Sequence, residues 1–240
     1  MTVGKGGVFC SAHLNYMRIL ALETSTEYCS VALWQDGNII TSRCELVGQK
    51  HSEVLIAMVD GVLHESGVKL VQVDGIAYGA GPGSFTGVRI ACGVAQGLAL
   101  GADLPVSGVC TLQALAQASG HDKVIAALDA RMGEIYHAAY EKRAGAWVAI
   151  CEPRFCLPQA APGVAEHGWF GAGSGFAAYG AALNERYAGR LAGSDAQAIP
   201  QAGAIAELAA VQFLAGQGMD AAQAMPLYLR DKVALKTSER

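Results

Sequence analysis

The chain has 240 residues, 52% of them hydrophobic, and a formal net charge of −4 from 17 basic and 21 acidic side chains. At this length about three quarters of the extended surface is buried on folding, so no disulfide or metal is needed to hold a core. The acidic balance argues against direct binding of nucleic acid, which depends on clusters of lysine and arginine. A membrane span is not expected either, because the uncharged apolar run at residues 90–102 is shorter than the roughly 20 residues that cross a bilayer.

The cysteines of the sequence indicate the compartment, and its histidines bear on metal binding. The seven cysteines are scattered and form no C-x-x-C pair, which is typical of reduced thiols in the cytosol. The histidines form neither an H-x-x-x-H nor an H-E-x-x-H pattern, so the sequence predicts no zinc site. We therefore expect a cytoplasmic protein without a metal.

The N-terminal part of the chain divides into an extension and a strand-rich region. Residues 1–16 are rich in glycine and lack apolar periodicity, and we expect a flexible extension there. Apolar strands are predicted at residues 19–22 and 30–34, and a third near residues 38–44 follows the Asp36-Gly37 turn, which together form a β-meander. Apolar residues then recur with helical period at residues 52–65, so a helix with one wide apolar face follows.

The densest glycine spacing lies between a short apolar strand at residues 75–78 and a helix that begins near residue 86. The N-terminus of a helix after such a loop presents free amide groups, which attract anions. A simpler interpretation, a tight strand-to-helix turn, stays open. The spacing matches neither a dinucleotide fingerprint, nor a P-loop, nor a nucleophile elbow. The candidate anion-binding residues of this loop are Gly81, Gly83, Ser84, Thr86 and Arg89.

The helix predicted at residues 86–100 carries glycines at positions 93 and 97, and a third follows just beyond it at position 101, each four residues from the next. Small residues at that spacing let another helix approach closely. Since glycine costs a helix about 1 kcal/mol relative to alanine, such a row needs a close neighbour. The spacing leaves two neighbours open, the chain's own sheet and a second subunit, and by itself slightly favours the sheet. If a subunit contact forms, the expected residues on this helix and on the helix at 52–65 are Val54, Met58, Gly61, Val62, Ala91, Gly93, Ala95 and Gly97.

The second half repeats the plan of the first. Strands predicted at residues 124–128 and 134–140 flank a turn, and an offset of 106 residues aligns Asp129 with Glu23. A helix at residues 111–119, capped by Thr111, is predicted between the halves. A glycine loop at residues 171–175, a helix at 204–214, a strand at 226–230 and a charged tail follow. We predict two α/β domains, residues 17–118 and 119–240, each with a mixed sheet flanked by helices.

Residues 79–89 read G-A-G-P-G-S-F-T-G-V-R, and this run resembles the characteristic motif of the bacterial TsaB (YeaZ) family, which serves threonylcarbamoyladenosine formation on tRNA. The resemblance continues through the strands at residues 17–34, the hairpin at 128–136 and the segment at 226–230. It implies two domains of the actin-like ATPase (ASKHA, ribonuclease H-like) fold. It also implies that Met17 is the natural first residue, because family members typically begin at that position.

The resemblance also implies where the chemistry of this superfamily is missing. The turn after the leading strand of the first domain lacks the glycine that lets backbone amides wrap a phosphate, and the corresponding second turn carries an arginine where a small residue is expected. The paired histidines that hold a metal in the related transferase are absent from the sequence. These features imply a non-catalytic protein with no tightly bound cofactor. The predicted residues of the degraded nucleotide-site turns and of the glycine loop are Glu23, Thr24, Ser25, Asp129, Arg131 and Gly173.

The partners implied by the resemblance are a TsaD-type threonylcarbamoyl transferase, which the chain would bind and support, and a TsaE-type P-loop ATPase. ATP or ADP would then lie at an interface of the complex, and tRNA would be reached only indirectly through it. The isolated chain is expected to form a homodimer. Two alternatives stay open: an active enzyme, either ATP-dependent or a glycoprotease-like metallopeptidase, and a self-associating scaffold unrelated to RNA.

Overall fold

The computed structural model describes residues 16–229. The extension predicted at residues 1–16 lies outside the described residues except for Tyr16, and so does the charged tail from Arg230 onward. The described chain forms two five-stranded sheets, one from each half of the sequence. The predicted α/β architecture with two mixed sheets flanked by helices is thereby confirmed.

The first sheet contains the predicted meander followed by two parallel strands. Its strand order is β3-β2-β1-β4-β5, with antiparallel pairing within the meander and parallel pairing of the first strand with the fourth and of the fourth with the fifth. The elements of this half are β1 (Arg18–Glu23), β2 (Tyr28–Gln35), β3 (Asn38–Leu46), α1 (His51–Ser66), β4 (Gly75–Gly81), α2 (Phe85–Ala102), β5 (Val106–Cys110) and α3 (Thr111–Ala118).

The second sheet repeats this topology in the order β10-β9-β6-β7-β8. Three antiparallel strands are again followed by two strands that pair in parallel. The predicted repeat of the two halves therefore holds at the level of strand order. The elements are β6 (Lys123–Arg131), β7 (Glu134–Arg143), β8 (Ala146–Cys156), β9 (Trp169–Ala172), α4 (Ser174–Arg186), β10 (Leu191–Asp195) and α5 (Ala202–Leu214).

Helices cover both faces of the first sheet. α1 and α2 pack on one face, where Leu55 and Val62 of α1 and Ala91 and Ala95 of α2 are buried. The other face is covered by α5, which lies near the end of the described chain. Its N-terminal amide, that of Ala202, donates a hydrogen bond of 2.9 Å to the Ser30 hydroxyl of β2. The C-terminal helix therefore completes the core of the first half.

The second sheet receives a helix from the other side of the predicted domain boundary. Leu112 and Leu115 of α3 are fully buried against β6 and β7, while α4 packs on the opposite face. α3 also contacts α5. The Gln117 carboxamide joins these two helices to the second sheet, since its nitrogen donates to Glu207 at 2.5 Å and its oxygen accepts from the Trp147 indole at 2.7 Å. The boundary at residue 118 remains a prediction.

Two local expectations are corrected by the structure. The Thr111 hydroxyl does not cap α3; it accepts a hydrogen bond of 3.0 Å from the amide of Gly81, so it holds the glycine loop instead. Residues 226–229 form no strand. This segment makes a backbone hydrogen bond to β4, from the Leu227 amide to the Ala80 carbonyl at 2.7 Å, and a single bond of this kind does not make a strand.

α2 is long and apolar enough to cross a membrane by length and composition alone. A core helix passes the same test, and Ala91, Ala95 and Ala99 are buried in the core that α2 shares with the first sheet. Packing on one face therefore accounts for part of its apolar composition, since 33% of this helix is buried.

Candidate functional site

A cleft of about 950 Å³ lies between the two halves of the molecule. Its walls are the turn after β1, the N-terminal end of α2, the end of β6, the first turns of α4, residues 196–199 and the segment at residues 227–229. These are the places where the sequence predicted the two degraded turns and the glycine loops. The fold therefore brings the separate candidate regions of the two halves to one cleft.

The first turn is closed by its own side chains. Glu23 is 1% exposed, and its Oε1 accepts a hydrogen bond of 2.5 Å from the Ser25 amide. The other carboxylate oxygen, Oε2, has no hydrogen-bond partner among residues 16–229. Burial raises the pKa of this carboxyl group, because the charged form is poorly solvated there. A carboxyl group that burial favours in its neutral form is a poor ligand for a cation, and the amide that would face a phosphate is already engaged.

The second turn uses its amides in the same way. Asp129 Oδ1 accepts from the Arg131 amide at 2.8 Å and from the Tyr179 hydroxyl at 3.0 Å, while the amide of Asp129 donates to the Ser174 hydroxyl at 3.0 Å. Gly173 precedes α4 with a φ of 107°, and a side chain there would meet the Ala127 carbonyl oxygen. The glycine is thus required by the close approach of α4 to β6.

An ion pair joins the two turns across the cleft. Arg131 is 76% exposed and contacts Asp129 at 3.3 Å and Glu27, on the turn of the other half, at 3.5 Å. Exposed pairs of this kind contribute at most about 1 kcal/mol to stability. Their structural consequence is steric, because the arginine side chain crosses the space between the turns.

The glycine loop is locked to the first turn from the opposite side. The Thr24 hydroxyl donates to the Gly87 carbonyl at 2.7 Å, and the Ser84 amide donates to the Ser25 carbonyl at 2.7 Å. A Cβ atom on Gly87 would overlap the Thr24 carbonyl oxygen. Ser84 caps α2, since its hydroxyl accepts from the Gly87 amide at 3.3 Å. The loop therefore acts as a tight strand-to-helix turn, and anion binding at its exposed residue Thr86 stays a prediction.

Arg89, the last residue of the motif, lies over two aromatic rings that line the cleft, those of Phe85 and Tyr228. Its guanidinium carbon lies 3.3 Å from the Phe85 ring centroid and 5.0 Å from that of Tyr228. The two rings lie 5.9 Å apart. Gly81 is the last residue of β4, and Gly83 lies in the loop between β4 and α2. The first turn of α2 and the end of the described chain are thus tied together.

The glycine row of α2 faces away from the molecule. Gly93 and Gly97 are exposed, and a Cβ atom on either would meet nothing within 4 Å. Leu100 on the same helix is 62% exposed, and Ile56 on α1 is 54% exposed. The expectation that the glycines pack on the chain's own sheet is therefore wrong, because the alternate row of alanines occupies that position.

Some residues expected on the contact surface lie in the interior. Met58 and Val62 of α1 and Ala91 and Ala95 of α2 are at most 3% exposed and pack in the core of the first half. Val54 and Gly61 are half-buried, and the Arg43 guanidinium covers Gly61. Of the eight residues, Gly93 and Gly97 are the two that are exposed to solvent. A partner that binds here would contact these two and their exposed neighbours.

The family follows from comparisons with known proteins. A sequence model of the family described as "TsaD: tRNA N6-adenosine threonylcarbamoyltransferase" matches residues 38–237. The "tRNA threonylcarbamoyladenosine biosynthesis protein TsaB" of Escherichia coli K12 is 40% identical over 92% of this chain and 97% of its own length. The chain belongs to the TsaB family. The protein of the same name from Haemophilus influenzae is also 40% identical, over 92% of this chain and 96% of its own. The solved structure of YeaZ from Pseudomonas aeruginosa is 42% identical and matches with a TM-score of 0.80 over 89% of this chain and 100% of its own.

A metal site in this TsaB-family chain would require a cluster of histidine, cysteine, aspartate or glutamate side chains. Within residues 16–229, no group of three or more histidine, cysteine, aspartate or glutamate side chains is placed to hold a metal ion. The carboxylates that reach the cleft are instead engaged with backbone amides or with Arg131. The expectation that this TsaB-family member holds no tightly bound cofactor stays a prediction.

Two features of the site were not anticipated from the sequence. The pairing of Arg131 with Glu27 joins residues from different halves, and the tilted contact of the Tyr228 and Phe85 rings joins residues 143 positions apart. Neither leaves a local pattern. The aromatic residues inside the two motifs, G-S-F-T-G and P-L-Y-L, were the only available signal.

Proposed function

We propose that this chain is a non-catalytic subunit of the assembly that makes threonylcarbamoyladenosine on tRNA, and that it binds and supports the TsaD-type transferase. Membership of the TsaB family, whose named members are biosynthesis proteins for this nucleoside, supports the pathway. The observation that carries the partner role is the exposed glycine row of α2, with open space over Gly93 and Gly97. A second helix can approach such a row more closely than a helix face made of large side chains.

The two turns of the cleft support the proposal that the chain is not catalytic. In each turn, an acidic side chain accepts the hydrogen bond of an amide that a phosphate would otherwise use. Loops that bind phosphate keep such amides free and converging. The arginine that crosses between the turns removes further space. ATP or ADP, where the complex uses it, would lie at an interface with the transferase or with a TsaE-type ATPase.

We expect the isolated chain to hydrolyse ATP no faster than the buffer background. The physical reason is that the turn amides and carboxylates are engaged within the chain. Release of inorganic phosphate, followed over hours with excess ATP and magnesium, measures this. Steady turnover that Glu23→Ala or Asp129→Ala abolishes would contradict the proposal and favour the ATP-dependent enzyme.

A glycoprotease-like metallopeptidase is the other catalytic alternative. It would require a metal that the described residues of this chain do not gather. Metal content of protein purified without chelators distinguishes it, since a stoichiometric metal together with peptide cleavage would favour the peptidase. A formal net charge of −4 also favours a role in which other subunits hold most of the tRNA. A cytoplasmic location and the domain boundaries at residues 17–118 and 119–240 remain part of the proposal.

The partner surface is tested by Gly97→Arg. Arginine adds bulk and charge where two helix backbones would approach, so we expect the homodimer to become monomeric and transferase binding to fall at least 100-fold, about 3 kcal/mol. Mass from light scattering gives the oligomeric state, and titration of the purified TsaD-type transferase from the same cell gives the affinity.

The matched control is Gly180→Arg, which places the same side chain on α4, also in open space. We expect it to leave dimerisation and transferase binding unchanged. Far-ultraviolet circular dichroism and thermal melting confirm that both variants fold. A folded Gly97→Arg protein that still dimerises and still binds the transferase would remove this surface from consideration.

A further inference from the structure

Most of the run at residues 79–89 is explained by the fold, but two of its large side chains are not needed for the geometry of the loop. Gly87 is required by its close approach to the Thr24 carbonyl oxygen. The side chains of Phe85 and Arg89 are instead exposed on α2, where they contact each other. What they present to solvent is therefore the open question about this run.

The guanidinium of Arg89 is held by aromatic rings, while its hydrogen-bond donors are unused. Among residues 16–229, its side chain contacts the rings of Phe85 and Tyr228 and makes neither a hydrogen bond nor an ion pair. A guanidinium over a ring keeps its N–H groups free at the edge of its plane, where they match the two oxygens of a carboxylate. Because the rings already restrain the group, it loses less side-chain entropy when such a partner arrives.

Arg89 and the two exposed glycines of α2 form one stripe along that helix. Arg89, Gly93 and Gly97 are exposed and follow one another at intervals of four residues, each about 6 Å of helix rise. A second helix that lies along this stripe covers Arg89 together with the glycines. Removing a guanidinium from water without an anion is unfavourable, so a partner that covers this position has to bring negative charge to it.

The described part of the chain does not bring that charge itself. Arg89 forms no ion pair within residues 16–229, and the two acidic side chains that line the neighbouring cleft, Glu27 and Asp129, are paired with Arg131. A carboxylate of a protein fits the position better than a phosphate of RNA, because a chain with a net charge of −4 repels a polyanion.

We propose that the TsaD-type transferase places an aspartate or glutamate side chain against Arg89 when it binds α2. The rings of Phe85 and Tyr228 hold the guanidinium in the orientation that this carboxylate meets. The contact rests on the proposed function, since it lies within the partner surface on α2, yet it can fail while that surface stands.

Titration of the purified TsaD-type transferase from the same cell into variants of the full chain tests the contact. Arg89→Glu should weaken binding roughly 100-fold or more, because two carboxylates then face each other. Arg89→Lys should weaken it roughly tenfold, since an ammonium group keeps the charge but cannot form the two-pronged contact. The matched control is Arg143→Glu, the same charge change on a side chain of the second half that is 61% exposed, and it should leave the affinity unchanged.

Arg89→Lys also allows the partner group to be identified. A carbodiimide joins an amine to a carboxylate where the two are in contact, so treatment of the complex of this variant should link position 89 to an aspartate or glutamate of the transferase. Mass spectrometry of the digested complex detects the linked peptides. A link from position 89 to a second copy of this chain, or no link to the transferase at this position, would overturn the proposal.

The Gly97→Arg variant separates failure of this contact from failure of the whole partner surface. If Gly97→Arg abolishes binding while Arg89→Glu binds as tightly as the unaltered chain, the surface stands and the contact is wrong. If Arg89→Glu and Arg143→Glu weaken binding equally, long-range attraction explains the effect and the contact is again wrong. If neither Gly97→Arg nor Arg89→Glu weakens binding, the partner surface and the contact both fail.

An exposed position in an early turn of a helix tolerates glutamate, so Arg89→Glu is expected to fold, which circular dichroism checks. Arg89→Lys and its cross-link keep the test decisive if it does not.

Discussion

We expect Gly87→Ala to lower the free energy of unfolding by about 3 kcal/mol, and Gly97→Ala on the same helix to raise it by about 1 kcal/mol. At Gly87 a Cβ atom would overlap the Thr24 carbonyl oxygen, which is backbone and cannot rotate away. At Gly97 the same atom meets nothing within 4 Å, so only the helix propensity of alanine acts. The same added methyl group is thus expected to destabilise the protein at position 87 and to stabilise it at position 97.

Urea unfolding of the two variants and the unaltered chain measures this difference. Because dimerisation adds to apparent stability, each unfolding curve is recorded at two protein concentrations. A Gly87→Ala protein as stable as the unaltered chain would mean that the glycine loop and the turn after β1 are not locked together. A destabilised Gly97→Ala monomer would mean that α2 is covered there by another part of the chain.

The direction of the glycine row could have been predicted by a further step of helical geometry. In an α-helix each residue turns about 100°, so residues two apart lie about 200° from each other. The buried alanines at positions 91, 95 and 99 alternate with glycines at 93, 97 and 101. Once the alanines face the sheet, the glycines must face away. Spacing alone grouped the small residues but could not say which row was inside.

Strands and helices were predictable because their signals are local. The meander, α1, α2 and the repeat of the second half follow from apolar periodicity and turn residues within short windows. The return of α5 to the first sheet is different, since Ala202 bonds to Ser30 across 172 positions of sequence. The role of Thr111 was missed for a similar reason: its hydroxyl has a partner in Gly81, outside its own helix. Tertiary partners of this kind override local capping rules.

The sequence predicted where the turns and loops of the candidate site lie along the chain, but not the contacts between them. The sequence located both turns and the glycine loops, and the fold brings them to one cleft. That the acidic residues close their own turns depends on rotamers and burial, which no spacing reveals. The burial of Glu23 is an example, because the same residue in an exposed turn would be an ordinary carboxylate.

A buried histidine in the second half gives the chain a dependence on acid. His137 is fully buried, with Nε2 at 2.7 Å from the Tyr187 hydroxyl and Nδ1 at 3.9 Å from the Cys151 sulfur. Since the Tyr187 hydroxyl donates its hydrogen to the Pro162 carbonyl at 2.8 Å, its oxygen accepts from Nε2–H, and Nδ1 is the unprotonated nitrogen. Burial lowers the pKa of His137 from 6.5 to about 4, and the nearby Arg154 and Arg186 add to this effect.

Because the pKa of His137 is lower in the folded chain than in the unfolded chain, acid destabilises the fold. The unfolded chain takes up a proton at this histidine below about pH 6.5 and the folded chain only near pH 4, so the unfolded state binds more protons between these values. The free energy of unfolding is therefore at its full value above pH 6.5 and falls as the pH is lowered toward 4. The loss from this one group amounts to about 3 kcal/mol at most.

We expect urea unfolding between pH 7.5 and 4.5 to show this loss in the unaltered chain and to show less of it in His137→Gln, whose side chain does not titrate. His64→Gln, at an exposed position on α1, is the matched control and should keep the full slope. Should His137→Gln not fold, the ring proton resonances of the unaltered chain give the same answer, because one histidine should titrate with a midpoint near 4. A midpoint near 6.5 for every histidine, or equal slopes in the unaltered chain and in His137→Gln, would show that burial does not lower the pKa of this imidazole and would contradict the prediction.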